Sequence, residues 1–248
     1  MILKFLTSVL FLASMVSVQA AQVLVAVASN FTAPMQKIAQ LFEIETGHKV
    51  LLSFGSTGSF YAQIKHGGPF QLFLAADHQT PALLEKEGLG VAGTRWTYAV
   101  GQLVLWSKQS GMVDGKGDIL QSGKFQKIAL AHPKLAPYGA AAVEVMRKLG
   151  VLQQLQPKWV LGENIAQTYQ FIHTENAQLG FVALSQIYTE GKLTPGSTWV
   201  VPGHLYSPIQ QDGILLNAGQ NEPAALALLA FLKSDQAKAL IKSYGYTD

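Results

Sequence analysis

Residues 52–64 read LSFGSTGSFYAQI. Residues 50–54 have the composition of a strand and a short helix is predicted around 60–66, so GSTGS (55–59) is a strand-to-helix turn. Five small residues in a row are more than a single helix cap requires. Glycines at 55 and 58 suit close approach of a ligand to the backbone, and positive φ. The same unit recurs on both sides. A strand over 22–28 precedes a helix over 32–46, where Met35, Ile38, Ala39, Leu41 and Phe42 have helical spacing. A strand over 72–75 precedes a helix over 81–87 opened by Pro81. A longer strand is predicted over 98–106 and short ones at 128–131, 181–183, 198–201 and 214–217. Helices are predicted at 140–149, 165–174, 223–232 and 235–243, the last capped by Ser234. This alternation predicts an α/β fold of mostly parallel sheets flanked by helices. Residues 21–97 complete one set of strand–helix units, and the Gly-, Ser- and Lys-rich stretch 107–127 opens another. The final strand and helices have no sheet of their own, so they are expected to return to the first. The organisation expected is a discontinuous first lobe, 21–98 plus 206–248, and a second lobe, 99–205, with a ligand cleft between them.

Four helices follow turns of small polar residues: Ala28-Ser29-Asn30-Phe31, GSTGS, Pro137-Tyr138-Gly139 and Gly162-Glu163-Asn164-Ile165. A helix N-terminus presents unpaired N–H groups and the positive end of the dipole. Hydroxyl and amide side chains beside it complete an anion site. Turns after the strands of an α/β sheet gather on one edge, so two turns from each lobe are expected to face one another across the cleft. None of the four contains Lys or Arg. Neutral donors with few acceptors suit an oxyanion that has no proton left to donate, because a protonated phosphate would bury an unpaired O–H. Glu163 is the one carboxylate near enough to reverse this argument by turning inward.

The chain has 248 residues, 49% of them hydrophobic and 13% charged, which allows a sizeable core and excludes a disordered chain. Eighteen Lys and Arg against 15 Asp and Glu leave a net charge of +3 without basic clusters, so no nucleic-acid partner is expected. The absence of cysteine removes disulfides, thiolate metal sites and a thiol nucleophile, and no ligand spacing suggests a bound metal cation. Lys4, the apolar run 5–16 and Val18-Gln19-Ala20 have the layout of a secretory signal, with cleavage expected after Ala20. No later run reaches spanning length, so an exported, soluble mature protein is expected.

At its four turns the chain resembles the periplasmic molybdate-binding proteins of ABC importers, within the type II periplasmic binding fold. The resemblance is carried by AVASNF (26–31), LSFGSTGSFYAQI (52–64), QLFLAAD (71–77), APYGAAAVEVMRKLG (136–150), GENIAQ (162–167), LGFVALS (179–185) and LLAFLKSDQAKALIKSYGY (228–246), in order along the mature chain. It implies a two-lobed, hinge-closing periplasmic protein that binds molybdate or tungstate. Such a protein hands its anion to a membrane permease and works as a monomer, with no cofactor and no catalytic residue. Carried over residue by residue, the resemblance points to Ser29, Asn30, Thr57, Tyr138 and the backbone of Ile165 as oxyanion ligands, with Ser56 as an additional neighbour. Many members carry a tyrosine where this chain has Ala183, and Tyr138 is expected to supply the missing phenol from the facing loop. Selection against sulfate is expected to rest on cavity size.

Other signals read differently. Gly88-Leu89-Gly90-Val91-Ala92-Gly93 matches GxGxxG but follows a helix instead of a strand, so it reads as a helix stop and loop. Asn30-Phe31-Thr32 matches a glycosylation sequon, yet its place at a strand end makes it a cap first. Three alternatives stand beside the main reading. One is a binder of sulfate or another tetrahedral oxyanion. Another is a secreted serine hydrolase using GSTGS, although the spacing departs from GxSxG and the six histidines are scattered. The third is an adhesin that kept the fold and changed ligand.

Overall fold

The computed structural model describes residues 20–248, so the expected signal lies outside the described residues apart from Ala20. The chain begins with β1 (Gln22–Ala28), α1 (Thr32–Thr46), β2 (Lys49–Gly55), α2 (Thr57–Lys65), β3 (Leu72–Leu74), α3 (Gln79–Lys86) and β4 (Trp96–Gly101). It continues through β5 (Leu103–Ser107), α4 (Asp118–Ser122), β6 (Ile128–Ala131), α5 (Pro137–Lys148), α6 (Leu152–Leu155), β7 (Trp159–Gly162) and α7 (Ile165–His173). Then come β8 (Leu179–Ala183), β9 (Tyr188–Thr189), β10 (Lys192–Leu193) and β11 (Ser197–Val200), followed by β12 (Ile209–Leu215), α8 (Pro223–Leu232) and α9 (Asp235–Ser243). Two five-stranded sheets form, in the orders β2-β1-β3-β12-β4 and β11-β5-β8-β6-β7, while β9 and β10 pair separately.

Both faces of each sheet are covered, which is why the central strands are apolar at successive positions. Val23, Val25 and Val27 of β1 pack on Met35, Ile38 and Phe42 of α1 and on Leu228 and Leu232 of α8. Ala26, on the opposite face, meets Phe60 and Ile64 of α2, Phe73 and Leu84. In the second sheet Leu103, Leu105, Ile128 and Leu130 face Val145 and Met146 of α5. Val104, Trp106 and Ala129 face Ile172 of α7.

The structure bears out the sheet reading and corrects the strand reading in one place. Each sheet is mostly parallel, as expected, with one strand reversed: β2, β1, β3 and β4 run one way with β12 antiparallel between β3 and β4, and β7, β6, β8 and β11 run one way with β5 antiparallel between β8 and β11. The reversed strands, β12 and β5, are the two that the chain enters directly from a strand of the other sheet. The single strand expected over 98–106 is divided at Gln102, with β4 in the first sheet and β5 in the second. A continuous apolar run does not reveal that its two halves pair with different partners. The chain passes between the sheets there and again between β11 and β12.

Register places the turns. Ala28 of β1 pairs with Gly55 of β2, so Ser29 and Ser56 leave neighbouring strands side by side. Ala131 of β6 pairs with Gly162 of β7, which sets the segments leading to α5 and α7 next to each other. Helix α5 begins at Pro137, three residues before its expected start, so Tyr138 and Gly139 belong to its first turn. Gly139 lies so close to β6 that a Cβ built there would fall 2.0 Å from the Ala131 carbonyl oxygen. Gly139→Val therefore has to push α5 away from its sheet. The expected outcome in urea denaturation is a loss of about 1–3 kcal/mol, as for other overpacked cores.

Candidate functional site

One small cavity between the lobes is lined by residues from all four turns: Ser29 and Asn30, Ser56 and Thr57, Pro137 and Tyr138, and Ile165. It is a tight space, about 190 Å³ with the solvent at its mouth included. No Lys, Arg, Asp or Glu lines it. Glu163 is exposed and outside the lining, its N–H bonded to Gln167 Oε1 at 2.6 Å, so the carboxylate that would have admitted a protonated anion is absent from the site. A larger neighbouring groove shares Ala76, Ala136 and Pro137 with the cavity. It is lined by Asp77 and Glu144 as well as Lys134, and its carboxylates make it a poor place for a dianion.

The cavity collects helix starts. Thr57, Tyr138 and Ile165 stand in the first turns of α2, α5 and α7, and among the described residues their backbone N–H groups meet no acceptor on the protein. Each of these helix N-termini carries about half a positive charge, and three together offset most of a dianion. Side chains hold the starts in place. Asn164 Oδ1 caps α7 by accepting from the N–H groups of Ala166 and Gln167, both at 3.0 Å. Gln186 Nε2 donates to the Ile165 carbonyl at 3.0 Å.

The expected ligands play different parts. Thr57 Oγ1 accepts from the Ala76 N–H at 2.9 Å, which leaves its own proton for a ligand. Ser29 Oγ reaches across to the second lobe, donating to Asn164 Oδ1 at 3.3 Å and accepting from the Ala166 N–H at 3.4 Å. Ser56 is committed to structure: its hydroxyl caps α2 through the Ser59 N–H and lies 2.7 Å from Ser59 Oγ. Asn30 lines the cavity, but its amide donates to Gln211 Oε1 at 2.8 Å and to Tyr246 Oη at 2.9 Å. It is 2% exposed, which leaves no access for a glycan. The phenol of Tyr138 differs most from expectation. Its oxygen accepts from Gln211 Nε2 at 3.1 Å and abuts Gly101, and neither Gln211 nor Gly101 lines the cavity. The Tyr138 N–H, in the first turn of α5, meets no acceptor among the described residues.

Gly55 and Gly58 do not adopt positive φ. Gly58 serves by close approach instead. Its N–H donates to the Leu135 carbonyl at 2.9 Å, and a Cβ there would lie 3.1 Å from Leu135 Cα, so the lobes touch backbone to backbone.

Behind the cavity lies a buried polar network absent from the sequence reading. Tyr98 Oη bridges the Ala75 carbonyl, at 2.9 Å, and Gln211 Oε1, at 3.0 Å, while Tyr246 Oη donates to the Asn30 carbonyl at 2.9 Å and Ser185 Oγ donates to the same carbonyl at 2.8 Å. The available signal was Gln210-Gln211-Asp212, three polar residues inside an otherwise apolar strand. Burial pushes the phenols of Tyr98, Tyr138 and Tyr246 above the ordinary tyrosine range, so all three stay neutral donors at physiological pH.

Two lobes joined by paired crossings, with a small cavity of neutral donors between them, define a solute-binding protein. The sequence matches the family of bacterial extracellular solute-binding proteins over residues 23–247, and the chain belongs to that family. It is 58% identical to the molybdate-binding protein ModA of Azotobacter vinelandii over 228 residues, covering 92% of this chain and 90% of that one. It is 50% identical to ModA of Rhodobacter capsulatus over 228 residues, covering 92% and 88%. Its structure superposes on the periplasmic molybdate-binding protein of Azotobacter vinelandii with a TM-score of 0.88 at 37% identity, covering 91% of this chain and 99% of the other.

Two outcomes follow from this geometry. Thr57→Val removes a donor and leaves the Ala76 N–H unpaired, so equilibrium titration is expected to show at least a tenfold (~1.4 kcal/mol) loss of oxyanion affinity, with Thr57→Ser close to the parent. The buried phenols set alkaline behaviour. An unfolded phenol ionises near pH ~10 and the folded ones later, so the folded state binds more protons and its stability falls as pH rises past about 10. Denaturant midpoints measured from about pH 8 to about pH 11 are expected to be flat at first and then drop.

Proposed function

We propose that the protein is the molybdate-binding component of an ABC importer, exported to the periplasm and delivering its anion to a membrane permease. The observation that carries this reading is the convergence of three unpaired helix-start N–H groups on a cavity without a charged side chain. The names of relatives at 58% and 50% identity supply the anion. Those relatives are binding proteins, and this protein is a binder, not an enzyme. Ser56, the serine a hydrolase would use, is occupied as a helix cap, and no histidine lines the cavity.

Binding needs no covalent step. The anion enters between the open lobes, and the helix starts of α2, α5 and α7 then surround it with dipoles and N–H donors. The Thr57 hydroxyl adds one directed bond. Closure is completed by the Gly58–Leu135 backbone bond and by Ser29 against the start of α7. The closed form is the species a permease recognises, so ligand governs delivery through a shift of population. Tungstate has the size and charge to occupy the same site. Sulfate is smaller and would leave the donors out of reach. Cleavage after Ala20 and action as a monomer complete the reading.

Isothermal titration of the mature protein tests it. Molybdate and tungstate are expected to bind saturably at one site, with sulfate and phosphate far weaker. Sulfate binding as tightly as molybdate would overturn the assignment of ligand.

A further inference from the structure

We propose that Gln211 is a positioning residue that couples closure of the lobes to the anion cavity, an inference that rests on the oxyanion site proposed above. Gln211 is fully buried on β12, the strand that re-enters the first sheet after the second crossing, and it does not line the cavity. Its amide joins two residues that do, one from each lobe. Gln211 Oε1 accepts from Asn30 Nδ2 at 2.8 Å, and Gln211 Nε2 donates to Tyr138 Oη at 3.1 Å. Tyr98 Oη lies 3.0 Å from the same Oε1 and 2.9 Å from the Ala75 carbonyl, and so shares its one proton between them. With the Asn30 amide donating to its oxygen, the Gln211 nitrogen faces Tyr138.

The chemistry calls for an amide at this position. A carboxylate accepts twice but cannot donate to the phenol, and an aliphatic side chain does neither. Gly101, at the first crossing, is shaped to this contact. A Cβ there would lie 2.0 Å from Tyr138 Oη and 2.5 Å from Gln211 Nε2, so any larger residue would separate the pair. The Gln211–Tyr138 bond spans the lobes, and opening them parts its partners. It is therefore made only in the closed arrangement, in which Asn30 and the first turn of α5 both border the cavity. Its contribution resists opening and slows release of the anion, while encounter with the open protein precedes it.

The test uses the full mature protein and molybdate, with Gln211→Met, Tyr138→Phe and the double variant. Each single change removes the same inter-lobe bond. Each is expected to speed release about tenfold with little change in association rate, and the double variant to release no more than about twofold faster than the quicker single. Unchanged release in both singles overturns the inference. So do losses that multiply in the double variant, since the two residues would then act separately. Melting of the ligand-free protein guards against a merely structural role: lowered melting with unaltered release also overturns it. If Gln211→Met does not fold, Tyr138→Phe decides alone through its release rate, because it leaves the bonds from Asn30 and Tyr98 to Gln211 in place. Failure of the parent protein to bind molybdate would refute the proposed function, whereas normal binding with unaltered release in the variants refutes only the part given to Gln211.

Discussion

Backbone N–H groups turned into a closed cavity without acceptors are an unstable arrangement by themselves. Leaving one buried and unpaired costs about 1–3 kcal/mol, and the starts of α2, α5 and α7 bring three to the same place. Closing the lobes on nothing incurs that cost, and closing them on an anion removes it. Ligand and closure are thus linked by the same hydrogen bonds, and the protein needs no separate device to sense occupancy. The absence of a cationic side chain sharpens the dependence. An arginine in the cavity would hold charge whether or not the lobes were shut, whereas dipoles from two lobes surround the anion only when the lobes meet.

The departure at Ala183 fits this economy of side chains. Ala183 is fully buried in the same hydrophobic cluster as Tyr138, Ala131 and Ile165. A hydroxyl lost there is not replaced by the phenol of Tyr138, which is engaged behind the cavity with Gln211. Around the cavity stand helix-start N–H groups and the Thr57 hydroxyl, with Asn164 and Gln186 fixing the start of α7. Asn30 is held from three sides, by Gln211, Tyr246 and Ser185, so the wall it forms has little freedom to contract around a smaller anion.

The crossing strands give the lobes their freedom and their alignment. Because β4 and β5 follow each other with only Gln102 between them, a small change of backbone angle there moves one sheet relative to the other. The ion pair of the exposed Arg95, through Nη1, with Oδ2 of the buried Asp212 at 2.7 Å, with Thr97 donating to the same carboxylate at 2.8 Å, anchors the first-lobe side of this region. The polar triplet of β12 thus divides its labour: Asp212 secures the sheet and Gln211 meets the opposite lobe.

By itself the sequence determined the α/β class, the four small polar turns and the absence of charge in them, because strand and helix periodicities and cap chemistry act over a few residues. Ser29, Asn30, Thr57, Tyr138 and Ile165 were named through the family resemblance of those turns, and all five line the small cavity. Tertiary structure alone decided what each one does. Whether Tyr138 offers a phenol or an N–H depends on Gln211, 73 residues away. Whether Glu163 enters the cavity depends on how α7 is capped and on its bond to Gln167. Where the run 98–106 changes sheets depends on which strands lie beside it. Local patterns encode which groups stand at a turn, but the direction in which a buried donor points is set by acceptors brought to it from distant parts of the chain.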